Sequence, residues 1–186
     1  MGASWGGLHA LGVVLGGLPA TFGAPVVIVQ HRSSRDPELL AGLLDRRCPL
    51  VVGDAHDKEG LRPGRAYVAP SGYHLLVEPG SLALSTDAAV QHSRPSIDVL
   101  FASAADVYRE RVAAVLLTGA NRDGAAGLCA VAASGGHTIV QDPGEAERRE
   151  MPDGALAVLR PDAVLPLAGV AAVLVDLVGE GVGSTG

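Results

Sequence analysis

The strongest constraint on how this chain folds is the alternation of short aliphatic runs with segments of helical periodicity. Residues 25–29, 49–52, 112–117, 137–141 and 163–166 are brief Val-, Ile- and Leu-rich stretches that read as strands. Between them, Leu8, Leu11, Leu15 and Leu18 mark one face of a helix over 7–18, and Leu39, Leu40, Leu43 and Leu44 do the same over 35–46. Further helices are predicted over 96–109, 123–134, 152–159 and 170–178, with Ser96 as the N-cap of the first and Asp98 in its first turn. Alternation of this kind gives βαβ units and hence an α/β, doubly wound, mainly parallel sheet flanked by helices on both faces. Apolar residues make up 48% of the chain but aromatic ones only 3%, so the core is built from Val, Leu and Ala. The rhythm breaks at 66–69, 73–78 and 81–85, three strand-like pieces with no helix between them. They are expected to form an antiparallel hairpin region appended to the sheet, turning at Pro79-Gly80. The 186 residues fit one domain over 1–178, followed by a fraying tail at 179–186.

Composition narrows the function. A net charge of −6 with no basic patch argues against nucleic acid. Cys48 and Cys129 lack a CxxC spacing and a secretory context, and read as free thiols in a reducing compartment. No stretch reaches the ~20 apolar residues of a membrane span and no signal segment opens the chain, so the cytoplasm is the expected location. His, Cys, Asp and Glu show no metal-ligand spacing, and the glycine register of residues 2–7 is wrong for a dinucleotide fingerprint, so no cofactor is expected.

Three polar residues follow apolar stretches on turns: Ser4 in Gly2-Ala3-Ser4-Trp5-Gly6-Gly7, His31 after Val29-Gln30, and Asp123 in Leu117-Thr118-Gly119-Ala120-Asn121-Arg122-Asp123-Gly124. In an α/β sheet such turns crowd at the carboxyl edge, so a nucleophile, a base and a base-orienting acid meet in one crevice. A serine hydroxyl needs an adjacent base to take its proton, and an imidazole titrating near pH 6.5 in its reference state suits that task. A carboxylate at 123 accepts the Nδ1–H of His31 and fixes its tautomer. Backbone N–H groups after Ser4 then face the developing oxyanion at the positive end of the helix. Each residue also has a plainer reading: a phosphate-cradling or close-packed turn for Ser4, a surface residue for His31, a helix cap for Asp123. The order Ser, His, Asp differs from the familiar hydrolase orders, but geometry defines a triad, not order.

With Arg94-Pro95-Ser96-Ile97-Asp98, Gln141-Asp142 and Met151-Pro152, these motifs resemble the catalytic domain of the chemotaxis receptor protein-glutamate methylesterases, over residue 2 to about residue 175. The resemblance implies Ser4, His31 and Asp123 as catalytic residues, with Trp5, Gly6, Ala120 and Arg94 forming the oxyanion site or lining the substrate groove. His74 lies in a segment that also looks familial and is assigned to structure or groove lining. The implied reaction is hydrolysis of glutamate γ-methyl esters, with glutamine deamidation beside it. The implied partners are cytoplasmic helices of methylated receptors. Such enzymes often carry an amino-terminal receiver domain, and here the motif begins at residue 2, so the expectation is constitutive activity or control by a separate receiver or methyltransferase protein. Two departures stand out. The family usually has Thr-Gly-Met-Gly-x-Asp-Gly, with a methionine where Ala120 stands and a glycine where Asn121 stands, and it has a small residue in place of Trp5. They keep open a second reading, a non-hydrolytic domain that only binds receptors or other proteins. A nucleophile turn also needs a strand feeding it, worth roughly 5–10 kcal/mol of burial before entropy is subtracted. Only Met1 to Ala3 precede Ser4, so the expectation is either that an aliphatic strand continues upstream of Met1 or that this form is marginally stable with Ser4 poorly positioned.

Overall fold

The structure, a computed structural model, describes residues 1–32 and 39–182. The first half of the chain runs β1 (Gly2–Ala3), α1 (Gly7–Gly16), β2 (Val26–Gln30), α2 (Leu40–Asp45), β3 (Val51–Asp54), β4 (Arg65–Val68), β5 (His74–Glu78) and β6 (Ser81–Ser85). The second half runs α3 (Ile97–Tyr108), a short 3₁₀ turn, β7 (Ala113–Leu116), α4 (Ala125–Ala133), β8 (His137–Gln141), α5 (Glu150–Leu156), β9 (Ala163–Leu165) and α6 (Leu167–Val182). Seven strands form one sheet in the order β3-β4-β2-β1-β7-β8-β9, every neighbouring pair parallel.

Successive residues of a strand point to opposite faces, and here they divide between two cores. Ala3, Ile28, Val115, Leu117 and Ile139 pack with α1, α2 and α6 on one side. Val29, Leu116 and Val140 pack with Ile97, Phe101, Leu128 and Met151 of α3, α4 and α5 on the other. Both faces of the sheet are therefore dry, as expected for an all-parallel sheet. β1 lies fourth of seven although only two residues long, tied to β2 through Val29 N–H on Met1 O (2.9 Å) and to β7 through Leu117 N–H on Gly2 O (2.9 Å).

Three expectations need adjusting. Residues 66–69 do not join an antiparallel region: β4 is parallel between β2 and β3, because Ala66 and Val68 face one core and Tyr67 the other, so the segment has two apolar faces to cover. Among the described strands β5 and β6 alone pair antiparallel, as a separate two-stranded sheet whose buried residues, Leu75, Val77 and Leu82, face α3. The last helix starts before residue 170 and continues past 178 to Val182, since Val170, Ala171 and Leu174 bury against the α1 side of the sheet and carry the helix onward; residues 183–186 lie outside those described. The 35–38 part of the predicted second helix also lies outside the described residues, and α2 begins at Leu40.

Candidate active site

Ser4, His31 and Asp123 follow the carboxyl ends of β1, β2 and β7, three adjacent strands with β1 in the middle. Ser4 is locked through its backbone. Its N–H donates to Thr118 O (2.9 Å), and its carbonyl accepts from Gly7 N–H (2.9 Å) and from Gln30 Nε2 (2.6 Å). The chain then turns into α1 through Gly6, at φ 80°, a conformation that side-chain-bearing residues rarely adopt. The turn leaves the N–H groups of Trp5 and Gly6 ahead of the helical ladder, beside Ser4 and at the positive end of α1.

His31 continues the register of β2, with its N–H on Ala3 O (3.0 Å). Its Nε2 lies 2.7 Å from Asp123 Oδ2. The expected nitrogen is thus exchanged: Nε2, not Nδ1, meets the carboxylate. β2 and β7 flank β1, so the imidazole must bridge two strand spacings, about 9–10 Å, and the nitrogen farther from Cβ is the one that reaches. Nδ1 is 3.3 Å from Asn121 Nδ2. The Asn121 amide is oriented by Asp123 N–H, which donates to Asn121 Oδ1 (3.1 Å), so the NH₂ end faces the imidazole. Nδ1 is then the acceptor, and Nε2 carries the proton given to Asp123.

Asp123 is wholly buried and accepts four hydrogen bonds: from His31 Nε2, from Ser96 Oγ (2.9 Å) and from the backbone N–H groups of Ile97 (2.7 Å) and Asp98 (3.0 Å). Burial alone pushes its carboxyl up, but the bonds from His31, Asp98 and Ile97 outweigh burial and hold it below the usual carboxylate range. It is a helix cap, though not of its own helix. It caps α3, while Asp98 of α3 returns the favour to α4 by accepting from Gly124 N–H (2.9 Å) and Gly127 N–H (2.7 Å). This exchange requires the two helices to touch. At Gly127 a Cβ would stand 2.6 Å from Phe101 Cβ and 3.0 Å from Asp98 Cα, so glycine sets the approach. Asp98 bears the consequence: burial, then the nearby Asp123 charge, push its carboxyl up against the pull of the Gly127 and Gly124 bonds.

Ser4, His31, Asn121 and Arg94 line one cavity of about 640 Å³. Gly6, with Ser4 and Gln30, lines a second on the other side of the serine. The remaining predicted groove residues, Trp5 and Ala120, are not among the residues that line either cavity. Ala120 is exposed, and Trp5 is 59% exposed, with its Nε1–H on Glu147 Oε1 (2.8 Å) and the Arg148 guanidinium over its ring. Arg94, joined to Pro95 by a cis peptide bond, donates to the carbonyls of Thr86 (2.8 Å) and Asp87 (3.0 Å), so its guanidinium anchors the neighbouring loop at the cavity wall. His74 is buried; its Nδ1 accepts from Ser96 N–H (3.2 Å) and its Nε2 faces Ala88 O (3.1 Å), which fixes the residue that in turn bonds Asp123.

Several supporting residues carried no role in the sequence. Gln30 braces the Ser4 carbonyl; Thr118 accepts from Arg148 N–H (2.9 Å) and donates to Trp5 O (3.0 Å); Gln141 Oε1 holds Thr118 N–H (2.8 Å). Thr118 and Gln141 stand in motifs that carry the resemblance, and all three stand at or just beyond the carboxyl ends of strands, where polar residues close an otherwise apolar run.

Known proteins share this fold. The chain matches the family model described as CheB methylesterase over residues 1–174. A putative protein-glutamate methylesterase/protein-glutamine glutaminase of Leptospira interrogans is 42% identical over 178 residues, 95% of this chain and 92% of that one. A protein-glutamate methylesterase/protein-glutamine glutaminase of Burkholderia lata is also 42% identical, and there the chain spans about half of the relative, 53%. The crystal structure of the Thermotoga maritima CheB methylesterase catalytic domain superposes with a TM-score of 0.90 at 33% identity, covering 95% of each chain.

Proposed function

We infer, for a chain that belongs to the CheB methylesterase family, that it hydrolyses glutamate γ-methyl esters on cytoplasmic helices of chemotaxis-type receptors and deamidates receptor glutamines. One observation carries the reading: a buried, ionised carboxylate clamps one nitrogen of His31, and the imidazole and Ser4 line the same cavity. In this mechanism Ser4 Oγ attacks the ester carbonyl and gives its proton to His31 Nδ1. The tetrahedral oxyanion is received by the N–H groups of Trp5 and Gly6, and the positive end of α1 favours its charge. Collapse of the intermediate expels methoxide, which takes the proton back from His31 and leaves as methanol. Water then attacks the acyl-enzyme with His31 as base, releasing glutamate and regenerating Ser4. With glutamine the leaving group is ammonia and the second half is the same. Asp123 stabilises the imidazolium in both halves without accepting its proton.

Relatives named for the same two activities support the assignment, as does the absence, among the described residues, of any helix long and apolar enough to cross a membrane. The test is methanol release from methylated receptor fragments. The parent is expected to release it and Ser4→Ala to release none; turnover by Ser4→Ala at a tenth of the parent rate would exclude Ser4 as nucleophile. A parent protein that binds the fragments but neither releases methanol nor labels with a serine-directed fluorophosphonate is a binding domain instead.

A further inference from the structure

The lone pair that Ser4 needs is already occupied. Among the described residues, the group within hydrogen-bonding distance of His31 Nδ1 is the Asn121 amide at 3.3 Å, and no such bond joins Ser4 Oγ to the ring. The contact is not a loose surface encounter, because Asn121 is held at its other end: its Oδ1 accepts the N–H of Asp123, the residue that fixes the opposite side of the same imidazole. Asn121, His31 and Asp123 therefore close a ring of three hydrogen bonds, each pairing a donor with an acceptor, and Ser4 stands outside it. A glycine at this position, as in the sequence pattern the chain otherwise resembles, has no side chain with which to make that ring.

We propose that Asn121 is a positioning residue that competes with Ser4 for the lone pair of His31, holding the base in reserve until substrate in the cavity draws the hydroxyl in and displaces the amide. This rests on the hydrolase reading above. No bond is made or broken by Asn121; it supplies a hydrogen bond to the neutral imidazole that must be given up before the proton moves from Ser4 Oγ to Nδ1. The charged and titratable groups around the ring are Asp123 at Nε2, Arg32 next in the chain, and Arg94 and His92 across the cavity, and all of them remain when position 121 is changed.

The test uses the full chain, with Asn121→Gly and Asn121→Asp beside the parent, and has two readouts: the rate of Ser4 labelling by a fluorophosphonate as a function of pH, and the ¹⁵N signals of the His31 ring. Asn121→Gly frees the lone pair, and labelling at pH 8 is expected to rise about fivefold, the factor that goes with one net hydrogen bond. Asn121→Asp keeps the acceptor for Asp123 N–H but sets a carboxylate against Nδ1. That draws a proton onto this nitrogen, so labelling slows at pH 7 and the midpoint of the profile rises by about one unit. In the parent the ¹⁵N signals should show Nε2 protonated and Nδ1 accepting a hydrogen bond, and the Nδ1 signal should move in both variants. Should Asn121→Gly fail to fold, Asn121→Asp and the ring signals decide the matter alone. Equal labelling in parent and variants, with unmoved ring signals, overturns the competition and leaves the hydrolase intact; slower labelling in Asn121→Gly overturns it too, since the amide would then be assisting. No labelling in any of the three overturns the hydrolase reading and this inference with it.

Discussion

Asp123→Asn separates the two tasks of that residue, and the outcome follows from counting donors. The four donors on the carboxylate are divided between its oxygens, with Ser96 Oγ and Asp98 N–H on Oδ1 and Ile97 N–H and His31 Nε2 on Oδ2. An amide must turn its NH₂ toward one pair. Facing Oδ1's partners, it strands the Asp98 N–H and leaves the Ser96 hydroxyl hydrogen without its acceptor. Facing Oδ2's partners, it strands the Ile97 N–H and moves the His31 proton to Nδ1, so that Nε2 accepts from the new amide and the Asn121 NH₂ loses its acceptor. Each orientation strands one backbone N–H, but the second places its other loss on the half-buried Asn121 amide beside the cavity rather than on the buried Ser96 hydroxyl, so it is favoured, and it inverts the tautomer of the base. One buried backbone N–H left unpaired costs about 1–3 kcal/mol. Losing a negative charge at the start of α3 adds up to about 1 kcal/mol, and relief of repulsion with Asp98 offsets part of it. A net loss of about 2 kcal/mol lowers the melting temperature of a chain this size by about 4–8 °C, so the variant still folds. Catalysis suffers far more. With Nδ1 protonated, the ring offers Ser4 no lone pair, and an acid-to-amide change of this kind is worth about 10⁴ in rate. Calorimetry and fluorophosphonate labelling of Ser4 read the two effects independently. Labelling within tenfold of the parent would refute the tautomer argument, and an unchanged melting temperature would refute the capping argument.

Two further substitutions probe the exchange of caps between α3 and α4. In Asp98→Asn the side-chain oxygen still accepts from Gly124 and Gly127, the exposed Gln91 amide turns over to accept from the new NH₂ where it had donated to Oδ2, and the charge beside Asp123 disappears, so the variant should be at least as stable as the parent at pH 7. Because the folded-state Asp98 carboxyl is raised, the parent loses stability as pH rises from the unfolded value toward the folded one; the advantage of Asp98→Asn should vanish when urea midpoints are compared below that window. Gly127→Ala forces a Cβ to within 2.6 Å of Phe101 Cβ and should cost about 1–3 kcal/mol in the same urea assay, with Ser4 labelling slowed as the α3 donors shift under Asp123.

The parts legible in the sequence were those fixed by local pattern. Strand ends announce themselves, and Ser4, His31 and Asp123 each follow one, so their meeting at the carboxyl edge required only that β1, β2 and β7 be neighbours. Ser96 and Asp98 open a helix as their types suggest, and Ser96 Oγ does accept Val99 N–H. What stayed hidden depends on distances between elements. Which nitrogen of His31 meets Asp123 is decided by the span across β1. That Asp123 caps α3 rather than α4 is decided by how closely two helices approach at Gly127, and no residue near 123 carries that information. β4 looked like part of a meander because no helix precedes it, yet a ten-residue connection over 55–64 sufficed to bring it back parallel, with Tyr67 reaching Gly60 O (2.8 Å) inside that loop.

Placing the orienting acid on the N-terminus of a neighbouring helix solves a problem that every such triad faces. During turnover the imidazole alternates between neutral and charged, and a carboxylate held only by that ring would see the charge of its main partner appear and vanish with each cycle. Here three of the four donors, Ser96 Oγ and the N–H groups of Ile97 and Asp98, belong to the start of α3 and are indifferent to the state of His31. The carboxylate therefore stays ionised and in place when the ring is neutral, and in the proposed mechanism its field is already aimed at Nε2 when the ring takes the serine proton. The cost falls on Asp98, which must cap α4 from beside another negative charge. Rigidity of the acid and tension at Asp98 are two sides of the same α3–α4 contact, so a substitution that relaxes the second by separating the helices would loosen the first.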